Sequence, residues 1–416
     1  MQVTICARLR SFAGCTLFLI CPLVAPKPVF AGGFAVREQS ASLLGSAFAG
    51  AAAGGDLSSA FWNPAAFGIA GNGLTTISAY SAIFADTELS NGVTSPGALG
   101  GATSTDIDKA GALSASYGAY RLNERTVLGV SMTSPFGLAT DPDDQFWVGR
   151  VHGRAAEMLS FNVSPTLAYE VSPGVHVAAG LQLQHMKLKL WSAVGALDPF
   201  AASAKIKVDD DVGVGFTAGL LLKPTEGTSI GIGYRSKIQH DLEGTFSAPG
   251  VSAPVSADLE TPEIVTLSLT QSITQKVRLL GTLEWTNWSR IDRVPIDGFP
   301  GAVVDARWDD GWFVSSGLDY DYSEVLTLRG GIAFERSPIQ DATQRLVPLP
   351  DSDRVWLSLG VTYRYSESTT IDAGYSHVFF EDAYLTRGTL TNPAFLLNAD
   401  VDNSADIISV GVRTQW

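Results

Sequence analysis

The sequence predicts an all-β fold, a 14-stranded antiparallel transmembrane β-barrel with an N-terminal hatch (plug) inside the lumen. Three observations predict it. First, beyond residue 73 apolar residues alternate with small or polar ones, segment after segment. A strand reads this way when one face meets lipid and the other a lumen. Second, the connections between these segments alternate short and long, as periplasmic turns and extracellular loops do. Third, apolar residues make up 45% of the chain and charged residues only 17%, yet no stretch after Ala31 approaches the ~18 apolar residues of a spanning helix. A membrane protein without such helices must close its backbone hydrogen bonds as a barrel.

Residues 1–31 read as a secretory signal peptide: basic Arg8 and Arg10, an apolar run Ala13–Val24, then small residues at Val29 and Ala31. All three cysteines, Cys6, Cys15 and Cys21, lie in that piece. The mature chain therefore has no disulfide, no thiol nucleophile and no Cys-ligated metal. Losing Arg8, Arg10 and Lys27 takes the formal charge from −14 to −17, so no nucleic-acid partner is expected. Residues 32–73 are rich in Gly, Ala and Ser, with Leu43, Leu44 and Phe48 at helical spacing. They suit a compact plug of short helical turns.

The barrel occupies residues 74–416. Its fourteen segments have cores at 74–88, 110–121, 125–134, 157–171, 174–190, 211–222, 228–246, 261–272, 276–288, 310–322, 325–336, 353–365, 368–380 and 406–416. Alternation is clearest in the last, where Ile408, Val410, Val412, Thr414 and Trp416 share one face. An even count leaves both barrel termini in the periplasm. Tyr169, Tyr320, Tyr322, Tyr363, Tyr365 and Trp416 fall on the apolar face near short turns, the positions of an interfacial aromatic girdle.

The segment Gly33-Phe34-Ala35, Glu38 to Ser42, Ala47 to Gly50 and Asn63-Pro64-Ala65 resembles the hatch of the FadL family of outer-membrane transporters for fatty acids and aromatic hydrocarbons. Thr133 to Thr140 is similar to that family's kinked third strand; Trp147 to Arg150, Tyr234-Arg235-Ser236, Ser337-Pro338 and Pro348 to Trp356 also match. The resemblance covers essentially the whole mature chain. It implies a Gram-negative outer-membrane location and binding of a hydrophobic small molecule in an apolar lumen pocket. It also implies lateral release through a gap at the third strand. Pro135 lacks an N–H and Gly137 is permissive, so Pro135, Phe136 and Gly137 are expected to break the ladder there. Asn63, Pro64 and Ala65 are expected to pin a tight turn of the hatch to the wall. Trp416, ending an apolar strand face, is the form the barrel-assembly machinery reads in outer-membrane proteins.

Met186, Leu188 and Leu190 alternate inward at the top of the fifth segment and are expected to line the pocket. Lys187 and Lys189 then point out toward lipopolysaccharide, which with the surrounding lipid is an expected partner. Arg235 and Lys237 are expected on the lumen face, where they could anchor a carboxylate or pair with Glu284 or Glu38. The pairs Asp319–Arg329 and Arg364–Asp372, and with them Arg413, are expected low in the lumen. A lysine of fatty-acid carriers aligns with Asp309, and segments 191–210 and 247–260 are read as short loops; both favour an uncharged hydrocarbon. Asp141, Asp143 and Asp144 read as a solvated loop; the reading calls for no metal, no cofactor and a monomer. There is no Gly-x-Ser-x-Gly elbow and no His-Glu-x-x-His, so an enzyme is not expected. The alternatives are a non-selective diffusion porin, which would lack a hatch, and an outer-membrane lipid hydrolase.

Overall fold

A computed structural model describes residues 32–95, 100–193, 203–210, 212–298, 303–388 and 396–416. The signal-peptide reading falls outside them. The chain forms a closed barrel of fourteen antiparallel strands. They are β1 (Leu74–Ser95), β2 (Gly111–Arg121), β3 (Thr126–Thr133, resuming at Gly137–Thr140), β4 (Ala155–Ser172), β5 (Val175–Ala193), β6 (Ser203–Asp209 and Gly213–Thr225) and β7 (Thr228–Arg235 and Gln239–Ala248). Then come β8 (Val251–Glu260 and Ile264–Ser272), β9 (Val277–Thr286), β10 (Gly311–Asp321), β11 (Leu326–Arg336), β12 (Arg354–Arg364), β13 (Thr369–Phe380) and β14 (Leu396–Gln415). Closure is by β1 on β14, in register from Thr75 opposite Gln415. Trp416 completes it: its N–H donates to the Leu74 carbonyl at 2.9 Å.

The alternation read from sequence is the inside–outside alternation of this wall. Leu128, Leu167, Leu181, Leu359 and Ile408 are exposed on the outer face, as are the girdle tyrosines and Trp416. No helix among the described residues is long and apolar enough to cross a membrane.

Two expectations about β6–β8 need correction. Much of 191–210 and 247–260 is strand, not loop: Ser203–Asp209 pairs with the top of β5, and Val251–Glu260 pairs with Gln239–Ala248. These strands also are not continuous; β7 breaks at residues 236–238 and β8 at 261–263. At the break, hydroxyls take over from ladder carbonyls. Ser236 Oγ accepts the Phe216 N–H at 2.8 Å, and Thr261 Oγ1 accepts the Ile238 N–H at 3.0 Å. Arg235 and Ser236 are consecutive and both buried, so the inside–outside parity flips there. A break of this kind is invisible to a period-two pattern, which continues on either side of it.

Residues 32–73 fill the lumen. Helix α1 (Ala41–Leu44) is capped by Ser40, whose Oγ accepts the Leu43 N–H at 3.2 Å. Three 3-10 turns follow, at Ala51–Ala53, Leu57–Phe61 and Pro64–Ile69. Phe48 is fully buried, edge-on to Trp356 and close to Trp62 and Phe313. The small residues on the lumen face are the socket for this plug. A Cβ on Gly360 would sit 2.6 Å from Gly45 Cα, and one on Gly231 or Gly233 would overlap the carbonyls of Ala52 and Trp62.

Gly360→Val is therefore expected to lift α1 from the wall while leaving the barrel closed, since overpacking of this kind costs about 1–3 kcal/mol. Heat-modifiability on gels should persist and influx of small hydrophilic solutes should rise severalfold. Unchanged influx would show that the plug is not the seal.

Candidate functional site

The site begins with backbone arithmetic. β3 pairs with β2 only up to Met132 opposite Ser116, and its upper piece, Gly137–Thr140, is laddered to β4 alone. Ser134, Pro135 and Phe136 lie between the two pieces, and residues 133–140 are all buried regardless of parity. The segment has left the wall plane. In a lipid-embedded protein its polar groups must still find partners, and the hatch supplies them. Gln39 donates from Nε2 to the Ser134 carbonyl at 2.8 Å and accepts the Ser134 N–H at 3.2 Å. The Val36 N–H donates to Pro135 O at 2.8 Å, and the Gly137 N–H donates to Phe34 O at 2.9 Å. On the other side Ser160 serves Phe136, its Oγ accepting the Phe136 N–H at 2.8 Å and its N–H donating to Phe136 O at 3.1 Å. Tyr117 donates to Gln39 O at 3.0 Å and steadies the hatch strand.

Above this junction is an apolar pocket of about 120 Å³. β4–β8 contribute Met158, Leu188, Leu190, Val208, Leu242 and Leu259; Leu138 comes from β3 and Phe34 from the hatch. The roof folds in from residues 288–298 and 303–308: a 3-10 turn at Trp288–Arg290, then Arg293–Pro295 paired with Val303–Asp305. Trp308 and Ile291 line the pocket. Phe34 is the hub of the aromatic floor, edge-on to Trp288 at 4.8 Å and to Phe136 at 5.6 Å.

Below the pocket the lumen is charged. Arg37 pairs with Glu284 at 2.7 Å and Glu335 at 3.3 Å; Arg354 pairs with Asp351 at 2.5 Å, which also accepts the Gly33 N–H at 3.0 Å. Glu38 is buried, and neither carboxylate oxygen has a hydrogen-bond partner among the described residues. Arg235 stacks over Phe61, 4.5 Å from the ring centre, and donates to its carbonyl at 3.2 Å. It has no ion pair among the described residues, and it lines a smaller cleft of about 30 Å³. Lower still, a vestibule of about 470 Å³ opens between Arg278, Asp319, Arg329, Arg364 and Arg413. The hatch turn lies against β6 and β7: Asn63 Oδ1 accepts the Ala65 N–H at 3.0 Å, while Nδ2 donates to Ala52 O at 2.8 Å and Leu220 O at 3.0 Å. Pro64 opens the 3-10 turn that follows.

Leu188 and Leu190 reach the pocket together, but Met186 does not line it. Met186 is fully buried one step lower, its N–H held by Asp210 at 2.6 Å. Arg235 is in the lumen as expected; Lys237 is not. The break at residues 236–238 turns Lys237 outward, where it pairs with Glu260 at 2.6 Å. Glu284 is taken by Arg37 rather than by Arg235 or Lys237. Asp319 and Arg329 pair at 3.3 Å, but Asp372 pairs with Arg329 at 3.2 Å instead of with Arg364. Asp309 is exposed and lies off the lumen. Sequence reasoning placed Phe34 and Gln39 in the hatch without a role at the third strand or the pocket, and missed Trp288 and Trp308. Two tryptophans flanking an apparent loop were the one available signal.

The sequence profile of the family described as outer membrane protein transport protein (OMPP1/FadL/TodX) matches residues 23–416. A 47 kDa outer membrane protein of Pasteurella multocida is 27% identical, over 84% of this chain and 87% of that one. The long-chain fatty acid transport protein of Escherichia coli is 24% identical, over 86% and 90%. Among solved structures, a Pseudomonas aeruginosa FadL homologue superposes with a TM-score of 0.82 at 22% identity, covering 92% of this chain and 99% of that one. The Pseudomonas putida toluene transporter TodX superposes at 0.69 with 15% identity, covering 92% and 99%; at such identities the likeness is one of fold. With a matching profile over nearly its whole length and a plugged barrel to carry it, this chain belongs to the OMPP1/FadL/TodX family of outer-membrane transport proteins.

Proposed function

We propose that this barrel takes up a small uncharged hydrocarbon, of the size of a monoaromatic ring. The hydrocarbon is held in the apolar pocket and released sideways into the bilayer between β2 and β3. The wholly hydrophobic pocket carries the reading. At about 120 Å³ it is close to the ~150 Å³ of an engineered dry cavity that holds benzene, and far too small for an extended C16 chain. Burying such a ligand is favourable at roughly 25 cal/mol per Å², and nothing in the lining asks for a charge. The polar floor supports a sideways route, because an apolar ligand moving straight down would have to cross the ion pairs of Arg37 and Arg354. The absent ladder between the tops of β2 and β3 leaves a route directly into lipid, which a hydrocarbon prefers. Toluene, which names the transporter TodX of Pseudomonas putida, is of this class.

A second reading has one observation behind it. Arg235 is a buried cation without a carboxylate partner among the described residues, and it faces the cleft beneath the pocket. A fatty acid whose carboxylate reached Arg235 would satisfy it.

Two outcomes separate these readings and test the route. Leu188→Gln is expected to lower toluene uptake at least tenfold in a complemented knockout, with Arg235→Gln within twofold of wild type. If Arg235→Gln instead abolishes oleate binding and toluene is not transported by the wild type, the hydrocarbon reading fails. For the route, Ala110, just before β2, lines an outer groove together with Ala139 of β3. Ala110→Trp should cut uptake at least fivefold while leaving toluene binding to the purified protein within twofold. Equal uptake by this variant would move the exit elsewhere.

A further inference from the structure

We propose that the outer rim of β5 and β6 is a binding site for the phosphates of an outer-leaflet glycolipid. This rests on the outer-membrane location and not on the substrate reading. Four of the chain's nine lysines, Lys187, Lys189, Lys205 and Lys207, cluster there in a protein of net charge −14. Lys187, Lys205 and Lys207 are exposed on the outer face, and the Lys189 side chain is 41% exposed. The register sets Lys189 directly opposite Lys207, with Trp191 opposite Lys205. Like charges directly opposite in a sheet are destabilising, unless an anion bridges them.

The protein supplies little of that anion. Lys189 pairs with Glu157 at 2.6 Å, and Asp209 lies opposite Lys187 in the register. Lys187, Lys205 and Lys207 have no carboxylate within ion-pair distance among the described residues. Across the other edge of β6, Lys207 and Lys205 face the neutral Thr245 and Ser247. The height is also right. Lys187 lies thirteen positions beyond Gly174 of the periplasmic turn. At about 3.3 Å per residue and a tilt near 40°, that is about 33 Å, above the ~25 Å apolar band of such barrels. The ammonium groups therefore stand at the outer interface, at the level of headgroup phosphates. There each lysine offers charge-assisted hydrogen bonds, and Trp191 has the usual place of an interfacial ring. Beside the patch runs the outer groove of about 660 Å³ that Ala110 and Ala139 also border, where Leu159 and Trp191 give an acyl chain an apolar seat.

The test uses the purified full-length barrel in a non-ionic detergent, with native mass spectrometry as the readout. Three probes are titrated: deep-rough lipopolysaccharide with both lipid A phosphates, the same lipid dephosphorylated, and phosphatidylglycerol. The wild type should bind the diphosphorylated glycolipid at least tenfold more tightly than either other probe. Lys205→Gln/Lys207→Gln should lose at least tenfold of that affinity, while Lys276→Gln, at the periplasmic end, should lose none. Glu157→Gln frees Lys189 and should tighten binding severalfold. The proposal is overturned if either the double variant or Glu157→Gln, shown folded by heat-modifiability, binds within twofold of wild type. It is equally overturned if phosphatidylglycerol binds as tightly as the glycolipid.

Discussion

The structure depends on one demand: a backbone in lipid has no water to fall back on, so each N–H and C=O must be paired by protein. Most of the barrel's strands meet it with neighbours on both sides. β3 does not. Between Thr133 and Gly137 it leaves the ladder with β2, and the groups it exposes are taken up by Gln39, Phe34 and Val36 of the hatch and by Ser160 of β4. The hatch is therefore more than a stopper. Its first residues supply the partners that β3 lacks where it parts from β2, and the wall and plug are conditional on each other.

That dependence explains why so little of the lumen is open. A plug whose backbone lies directly on the wall needs glycine beneath it, as at Gly360 under Gly45 and at Gly231 and Gly233 under Ala52 and Trp62. It also accepts local strain: Ala47 and Phe48 both hold left-handed φ values, 51° and 57°. Such residues cost of order 1–3 kcal/mol each. The packing of the Phe48 ring against Trp62, Phe313 and Trp356 offsets that cost, and Asn63 ties the far end of the plug to β6.

The lumen is layered by chemistry. The periplasmic mouth is lined with arginine and aspartate, the middle with the Arg37 and Arg354 ion pairs, and the upper part with aliphatic and aromatic side chains. A charged layer is costly for an apolar molecule to cross, since buried ion pairs lose much when one partner is displaced. Phe34 stands at the boundary. Its backbone completes β3 and its ring floors the pocket, so anything that displaces the ring also pulls on the strand that closes the wall. Here packing in the pocket and hydrogen bonding at the break are the same event.

The sequence by itself determined the barrel, its strand count, the hatch, and the break of the third strand around Pro135. Each is written in local terms: alternation, turn spacing, a missing proline N–H. It also placed Leu188 and Leu190 inside and Lys187 and Lys189 outside, because parity counted from a turn holds while a strand is regular. Only the tertiary structure decided the rest. Lys237 is outside because β7 breaks at residues 236–238, where hydroxyls of Ser236 and Thr261 replace ladder bonds, and alternation carries no record of such a break. Trp308 and Ile291 join the pocket, and Trp288 packs beneath them against Phe34, because a segment without periodicity folds back over the barrel mouth. The partners of Arg37, Arg235 and Asp372 were likewise illegible: a lumen brings together side chains hundreds of residues apart. Which carboxylate an arginine takes there is set by the geometry of the filled barrel and not by neighbours in the chain.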